Sequence, residues 1–178
     1  MRAMVTTRLI VLDDAAPFAE LIRRNREFLA PWEPIRAESY FTDEGQRRII
    51  EDALRRCDEQ SMVPRVILAD GDIVGRVNLN NIVRGPFQSA SLGYWVSANH
   101  NGRGVATEAV SQIKHLAFGE LGLHRIEAGT LLHNRGSQRV LERNGFERFG
   151  LAPAYLDIAG RWQDHVMYQA VNPGARTG

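Results

Sequence analysis

Asn101, Gly102, Arg103 and Gly104 crowd small and flexible residues against the start of a regular apolar pattern, in the stretch NHNGRGVATEAV at 99–110. The first backbone N–H groups of a helix lack internal partners and its dipole end is positive, so such an entrance can cradle an anion. Arg103 adds a cation suited to charge-assisted contacts with phosphate. A tight strand-to-helix turn, in which glycine supplies only backbone freedom, explains the same residues, and both readings stay open. A triphosphate-binding loop is excluded, because Lys and Ser or Thr should follow the second glycine and Ala106-Thr107 comes at the wrong spacing. A dinucleotide fingerprint wants a third small residue where Thr107 stands, and an acid closing the next strand, which instead closes on Leu132-His133-Asn134.

Asn134 and Ser137 lie three apart at the start of a helical pattern, so both can point towards one space. Plain N-capping accounts for Asn134 equally well. Glu127 is a carboxylate in the middle of the preceding strand, and a surface pair with Arg125 explains it about as readily. The five histidines show neither H-x-x-x-H nor Cys/His ligand spacing, so no metal is expected. Asp164-His165 falls in a β segment and is expected to serve local hydrogen bonding, not an acid–base dyad.

These residues need elements to hold them. TTRLIVLDD (6–14) reads as a strand ending on Asp13 and Asp14, candidate caps for a helix over 15–29 that stops at Pro31 and Pro34. A second helix is predicted over 43–58, starting near Thr42. Two β-rich runs then flank Asp70-Gly71, a hairpin signal. A strand at 89–97, a helix at 103–120 and a strand at 124–132 form a parallel βαβ unit with the glycines at its first turn. A helix at 135–144 ends at Asn144-Gly145, and two β segments joined by the turn IAGR close the chain. The order β-α-α-β-β-β-α-β-α-β-β implies an α+β fold with a mixed, mainly antiparallel central sheet flanked by helices.

The chain of 178 residues fits one domain, expected over 1–172 with a flexible tail at 173–178. Its net charge of +1 gives no long-range pull towards nucleic acid or an acidic membrane. Lys114 is the only lysine, and no function is assigned to the arginine bias. No signal-peptide core and no apolar run long enough to span a bilayer is present. The single cysteine, Cys57, excludes an internal disulfide framework and suits a reducing cytoplasm. It recurs with Ile49, Ile50, Ala53 and Leu54 at helical spacing, so it reads as core packing and not as a nucleophile.

GYWVSANHNGRGVATEAV, followed by LHRIEAGTLLHNRGSQRVLERNGF, resembles the acetyl-CoA binding core of the GNAT N-acetyltransferases. Within them the chain is similar to the RimJ/RimL-type ribosomal-protein alanine N-acetyltransferases. The likeness extends to FLAPWEP near residue 30 and YLDIAGRWQDHVMY at 155–168, and N-x-x-S-x-x-x-L-x-x-x-G-F at 134–146 is a fairly specific second block. Many members carry Gln or Arg three positions before the Gly104 equivalent. This chain has Asn101, read as a variation.

The resemblance implies transfer of acetyl from acetyl-CoA to an α-amino group, with no metal. Such a reaction needs a held donor, a neutral amine, stabilisation of the developing oxyanion and a proton for the leaving thiolate. By resemblance, the pyrophosphate sits on the backbone of Gly102, Arg103, Gly104, Val105, Ala106 and Thr107, and the pantetheine arm pairs with Val96 like an extra strand. Asn134 then holds the pantetheine and Ser137 protonates or hydrogen-bonds the thiolate. The base is left open between Glu127, Glu33 and a water chain, because the carboxylate that some relatives place before the tyrosine matching Tyr155 is here Ala154. Tyr155 either lines the site or packs. Trp32 and Glu33 border the acceptor cleft, unless that segment is only a helix stop. The acceptor is expected to be a protein N-terminus, with a small amine or a non-catalytic acyl-CoA module as alternatives. Terminal strands of such folds also allow a homodimer.

Overall fold

A computed structural model describes residues 3–175. Its seven strands form one sheet in the order β1-β2-β3-β4-β5-β7-β6, with β1 at Val5–Leu9, β2 at Val63–Ala69, β3 at Asp72–Val83, β4 at Ser89–Val96, β5 at Arg125–Leu131, β6 at Glu147–Ile158 and β7 at Arg161–Val171. Only β4 and β5 run parallel. The sheet is therefore mixed and mainly antiparallel, as expected. Helices α1 (Ala15–Arg24), α2 (Arg26–Leu29) and α3 (Asp43–Asp58) precede β2, while α4 (Val105–Gly119) and α5 (Arg135–Arg143) flank β5 in sequence.

Period-two alternation divides the core between the two sheet faces. Val77, Leu79, Leu92 and Ile126 pack with Val110, Ile113 and Ala117 of α4 on one face. Phe18 and Ile22 of α1, Ile50 of α3 and Val66 meet on the other, with Trp95 against them. The fully buried Ile113 alone contributes roughly 1.5–3 kcal/mol of apolar burial.

The turn signals hold. Asp70 (φ 52°) and Gly71 (φ 93°) make the β2–β3 hairpin turn, with both residues left-handed. Thr42 caps α3, its Oγ1 accepting from the Gly45 N–H at 3.0 Å. Gly145 (φ 75°) ends α5, and the Phe146 N–H returns to the Leu141 carbonyl.

Three expectations change. The strand expected over 6–14 ends at Leu9, and Leu12–Asp14 form a 3-10 turn. Asp14 does not cap α1; its carboxylate takes both Arg8 guanidinium nitrogens at 2.8 Å and the Val11 N–H at 2.9 Å. Burial opposes ionisation there, but these hydrogen bonds win and hold Asp14 below the usual carboxylate range. The helix expected over 15–29 breaks at Asn25. That side chain is buried, donates from Nδ2 to the Leu21 carbonyl at 2.8 Å, and accepts the Ala98 N–H at 2.8 Å. A local helical run is thus traded for a tie to the β4–α4 loop. Of the tail at 173–178, Pro173–Ala175 form a short 3-10 turn and 176–178 lie outside the described residues. No helix among the described residues is long and apolar enough to cross a membrane.

Candidate active site

β4 and β5 pair only from Ser89 to Ser91 against Arg125 to Glu127. Beyond Ser91 the β5-facing edge of β4 has no strand partner, although its other edge stays paired with β3 as far as Val96. Backbone polar groups on such an edge need a partner, and an extended ligand can supply one.

Two cavities open at this splay. One, of about 350 Å³, lies between Val96, Asn101 and Ala106 on one side and Asn134 and Val140 on the other. The second, of about 370 Å³, lies towards the α2–α3 segment and β7, and includes Glu33, Tyr40, Arg76 and His165. Trp32, Tyr94, Asn134 and Ser137 line both. A donor in the first and an acceptor in the second would therefore meet at these side chains.

Gly102 (φ 72°) and Gly104 (φ 82°) both take the left-handed conformation in the loop that enters α4, which L side chains adopt at a cost. The Asn101 carboxamide folds back to accept the Gly102 N–H at 3.0 Å. Val105 is buried, and the Thr107 carbonyl receives the Asn144 side chain at 3.1 Å, which ties α4 to α5. Arg103 and Gly104 also line a cavity of about 490 Å³ with Asp70, His100 and Glu108. The loop is fixed at its start by Asn25 and at its helical end by Asn144.

At α5, Asn134 caps: its Oδ1 accepts the Ser137 N–H at 3.1 Å. Its Nδ2 has no partner among the described residues, leaving a donor over the cleft. Ser137 Oγ lies 2.7 Å from the Tyr94 hydroxyl, which also donates to the Ser137 carbonyl at 3.2 Å. Burial pushes the Tyr94 pKa far up, against a smaller opposing effect of the Ser137 bond, so the phenol stays protonated. Tyr94 sits inside the quoted GYWV, but no spacing rule links it to Ser137, forty-three residues on.

Trp32 lies 5.4 Å, ring to ring, from His133. The Glu33 carbonyl accepts the Ala159 N–H at 2.9 Å, which clasps this segment to the β6–β7 turn. Burial raises the Glu33 pKa, and Arg36 at 3.7 Å offsets only part of that. Glu127 stands elsewhere. It pairs with Arg125 at 3.0 Å and lines a separate cavity with Tyr155, where neither Ser137 nor Asn134 reaches. Tyr155 follows a bulge at Ala154 (φ 45°), is half exposed, and packs edge-on against His165 at 5.5 Å. Asp164 accepts the Ala154 N–H while His165 contacts the Gln163 carbonyl, so the two serve separate local bonds. Cys57 lines neither cavity at the splay, and burial followed by Asp58 raises its pKa.

Residues 5–147 match the family described as the acetyltransferase (GNAT) domain. The chain belongs to the GNAT acetyltransferase family. It is an acetyl-CoA-dependent N-acetyltransferase. A probable N-acetyltransferase of Bacillus subtilis, YjcK, is 40% identical over 171 residues, 95% of this chain and 94% of that one. The ribosomal protein uS5-alanine N-acetyltransferase of Escherichia coli is 35% identical over 173 residues, 95% and 88% of the two chains. Mycobacterium smegmatis RimJ, solved with CoA-disulfide, superposes with a TM-score of 0.93 at 30% identity, covering 99% of this GNAT chain and 88% of RimJ. The open β4 edge, the left-handed glycines and the Asn134 amide, unpartnered among the described residues, all lie along the β4–α4 and β5–α5 connections.

Proposed function

We propose that this enzyme acetylates the α-amino group of a protein N-terminus, of the ribosomal-protein alanine kind, by direct transfer within a ternary complex. The observation that carries the reading is the junction of two cavities at Trp32, Tyr94, Asn134 and Ser137. One cavity takes the donor beside the open β4 edge and the other takes the amine. The uS5-alanine specificity of the Escherichia coli relative supports the acceptor class. So does the charge of the acceptor cavity: Arg36 is offset by Glu33, and Arg76 has no carboxylate within 4.0 Å among the described residues. A polycationic amine would meet repulsion there. A ribosomal-protein acceptor implies work in the cytoplasm.

Acetyl-CoA supplies an activated acetyl thioester. Its pyrophosphate would be held by backbone N–H groups from Arg103 to Thr107, beyond the Gly102 N–H that Asn101 already takes, and its pantetheine by the β4 edge near Val96 and by Asn134 Nδ2. A β4 N–H would donate to the thioester oxygen. The Tyr94 hydroxyl, 2.7 Å from Ser137 Oγ, holds the serine in place, and the Ser137 hydroxyl hydrogen-bonds the thiolate as it leaves. Cys57 takes no part, since it stands outside both cavities. Glu33 is the base in this reading, being the carboxylate that shares the acceptor cavity with Ser137.

A carboxyl raised by burial accepts protons only above its elevated pKa, so kcat should fall on the acid side at a pH above the usual carboxylate range. Glu33→Gln is expected to remove that limb and to lower kcat by about 10²-fold. The α-amine's own limb in kcat/KM, near pH 8, should persist. An unchanged kcat profile in this variant contradicts the assignment to Glu33.

The acceptor class is tested by CoA release from a panel of N-terminal peptides beside free polyamines and aminoglycosides. Turnover of peptides supports the proposal. Turnover of small amines alone sinks it.

A further inference from the structure

We propose that Arg76 selects acceptors carrying a carboxylate close behind the reacting amine, so that the preferred substrate is an acidic N-terminal peptide. This rests on the peptide reading above. Val77 and Leu79 enter the α4 core, so alternation turns Arg76 and Asn78 to the opposite face, where both line the acceptor cavity. The guanidinium makes one hydrogen bond, from Nε to Asn78 Oδ1 at 3.2 Å. Neither terminal nitrogen has a hydrogen-bond partner among the described residues, and neither is sealed from solvent.

Enclosing a guanidinium without a counter-charge is costly, and burial depresses its pKa. Elsewhere in the chain Arg8 takes Asp14 and Arg125 takes Glu127. In the same cavity Arg36 has Glu33. Arg76 thus lines the acceptor cavity with two terminal nitrogens that have no partner among the described residues, and a carboxylate satisfies such a pair bidentately. Neighbouring strands lie about 4.8 Å apart and an extended chain advances about 3.4 Å per residue, so an acid on β3's side belongs within the first two or three acceptor residues.

The test compares initial rates for short peptides beginning Ala-Asp-Glu with matched peptides beginning Ala-Asn-Gln. The wild-type enzyme is expected to favour the acidic peptide by about tenfold or more in kcat/KM, carried by KM. That preference should shrink as salt rises from low to about 1 M. Arg76→Gln should bring the two peptides within about threefold of each other, and Arg76→Glu should favour a lysine-bearing peptide over the acidic one. The wild-type comparison and its salt dependence stand even where a variant folds poorly. Equal wild-type rates for the two peptides, or a preference unchanged in Arg76→Gln, overturn the role of Arg76 and leave N-terminal acetylation standing. No turnover of either peptide overturns the acceptor reading and this proposal with it.

Discussion

Gly104→Glu is expected to weaken acetyl-CoA binding by at least about 100-fold, or about 2.7 kcal/mol, while leaving the protein folded. Two effects combine. A Cβ at φ 82° is forced into left-handed backbone, a strain of roughly 1–2 kcal/mol. That strain alone is small beside the core built by α4 and the sheet. The larger effect falls on the ligand, because a carboxylate now stands where the first turn of α4 presents its N–H groups to a diphosphate. Gly104→Ala separates the two: it should cost the same stability but much less affinity. Titration calorimetry measures the binding and urea unfolding the stability. Affinity retained within about threefold in Gly104→Glu would remove the phosphate role from this turn.

Ser137→Ala is expected to lower kcat by about 10²-fold with little change in acetyl-CoA affinity, because a positioned donor to developing negative charge is worth that much. The helix should survive, since Asn134 caps α5 through the Ser137 backbone N–H, which alanine keeps. Tyr94→Phe should give a smaller loss, removing the hydroxyl that holds Ser137 Oγ but not the serine itself. Ser137→Thr, which restores a hydroxyl, should recover most of the rate. A Ser137→Ala enzyme with unchanged kcat would place the proton source elsewhere.

The parts of this enzyme that local rules govern are legible in its sequence. Asp70-Gly71, Thr42 and Asn144-Gly145 mark their turns and caps because one or two residues decide each geometry. The βαβ unit around Gly102 and Gly104 follows for the same reason. What stays hidden depends on distant partners. Asn25 breaks a helix only because the Ala98 N–H waits seventy-three residues away. Asp14 has the right type and place for a cap, yet Arg8 claims it. The splay of β4 from β5 cannot be read from either strand, and with it goes the opening of two adjoining cavities. Arg76 and Tyr94 sit inside correctly expected strands as ordinary alternating residues. Glu127 is conspicuous on the central strand, but the splay puts it in a cavity apart from Ser137. Family resemblance points to main-chain groups for the donor, and the turn at Gly102 and Gly104 is a local feature of the sequence. The proposed acceptor side rests on side chains such as Glu33 and Arg76, which share a cavity only once the segment between α2 and α3 has folded against β3.

The most direct test of N-terminal acetylation is tandem mass spectrometry on a peptide that offers both amines, an N-terminal alanine and an internal lysine, after incubation with the enzyme and acetyl-CoA. An acetyl group on the alanine α-amine, with the lysine unmodified, is expected. An acetyl group on the lysine ε-amine, or an unmodified peptide beside acetylated spermidine in the same mixture, would contradict it.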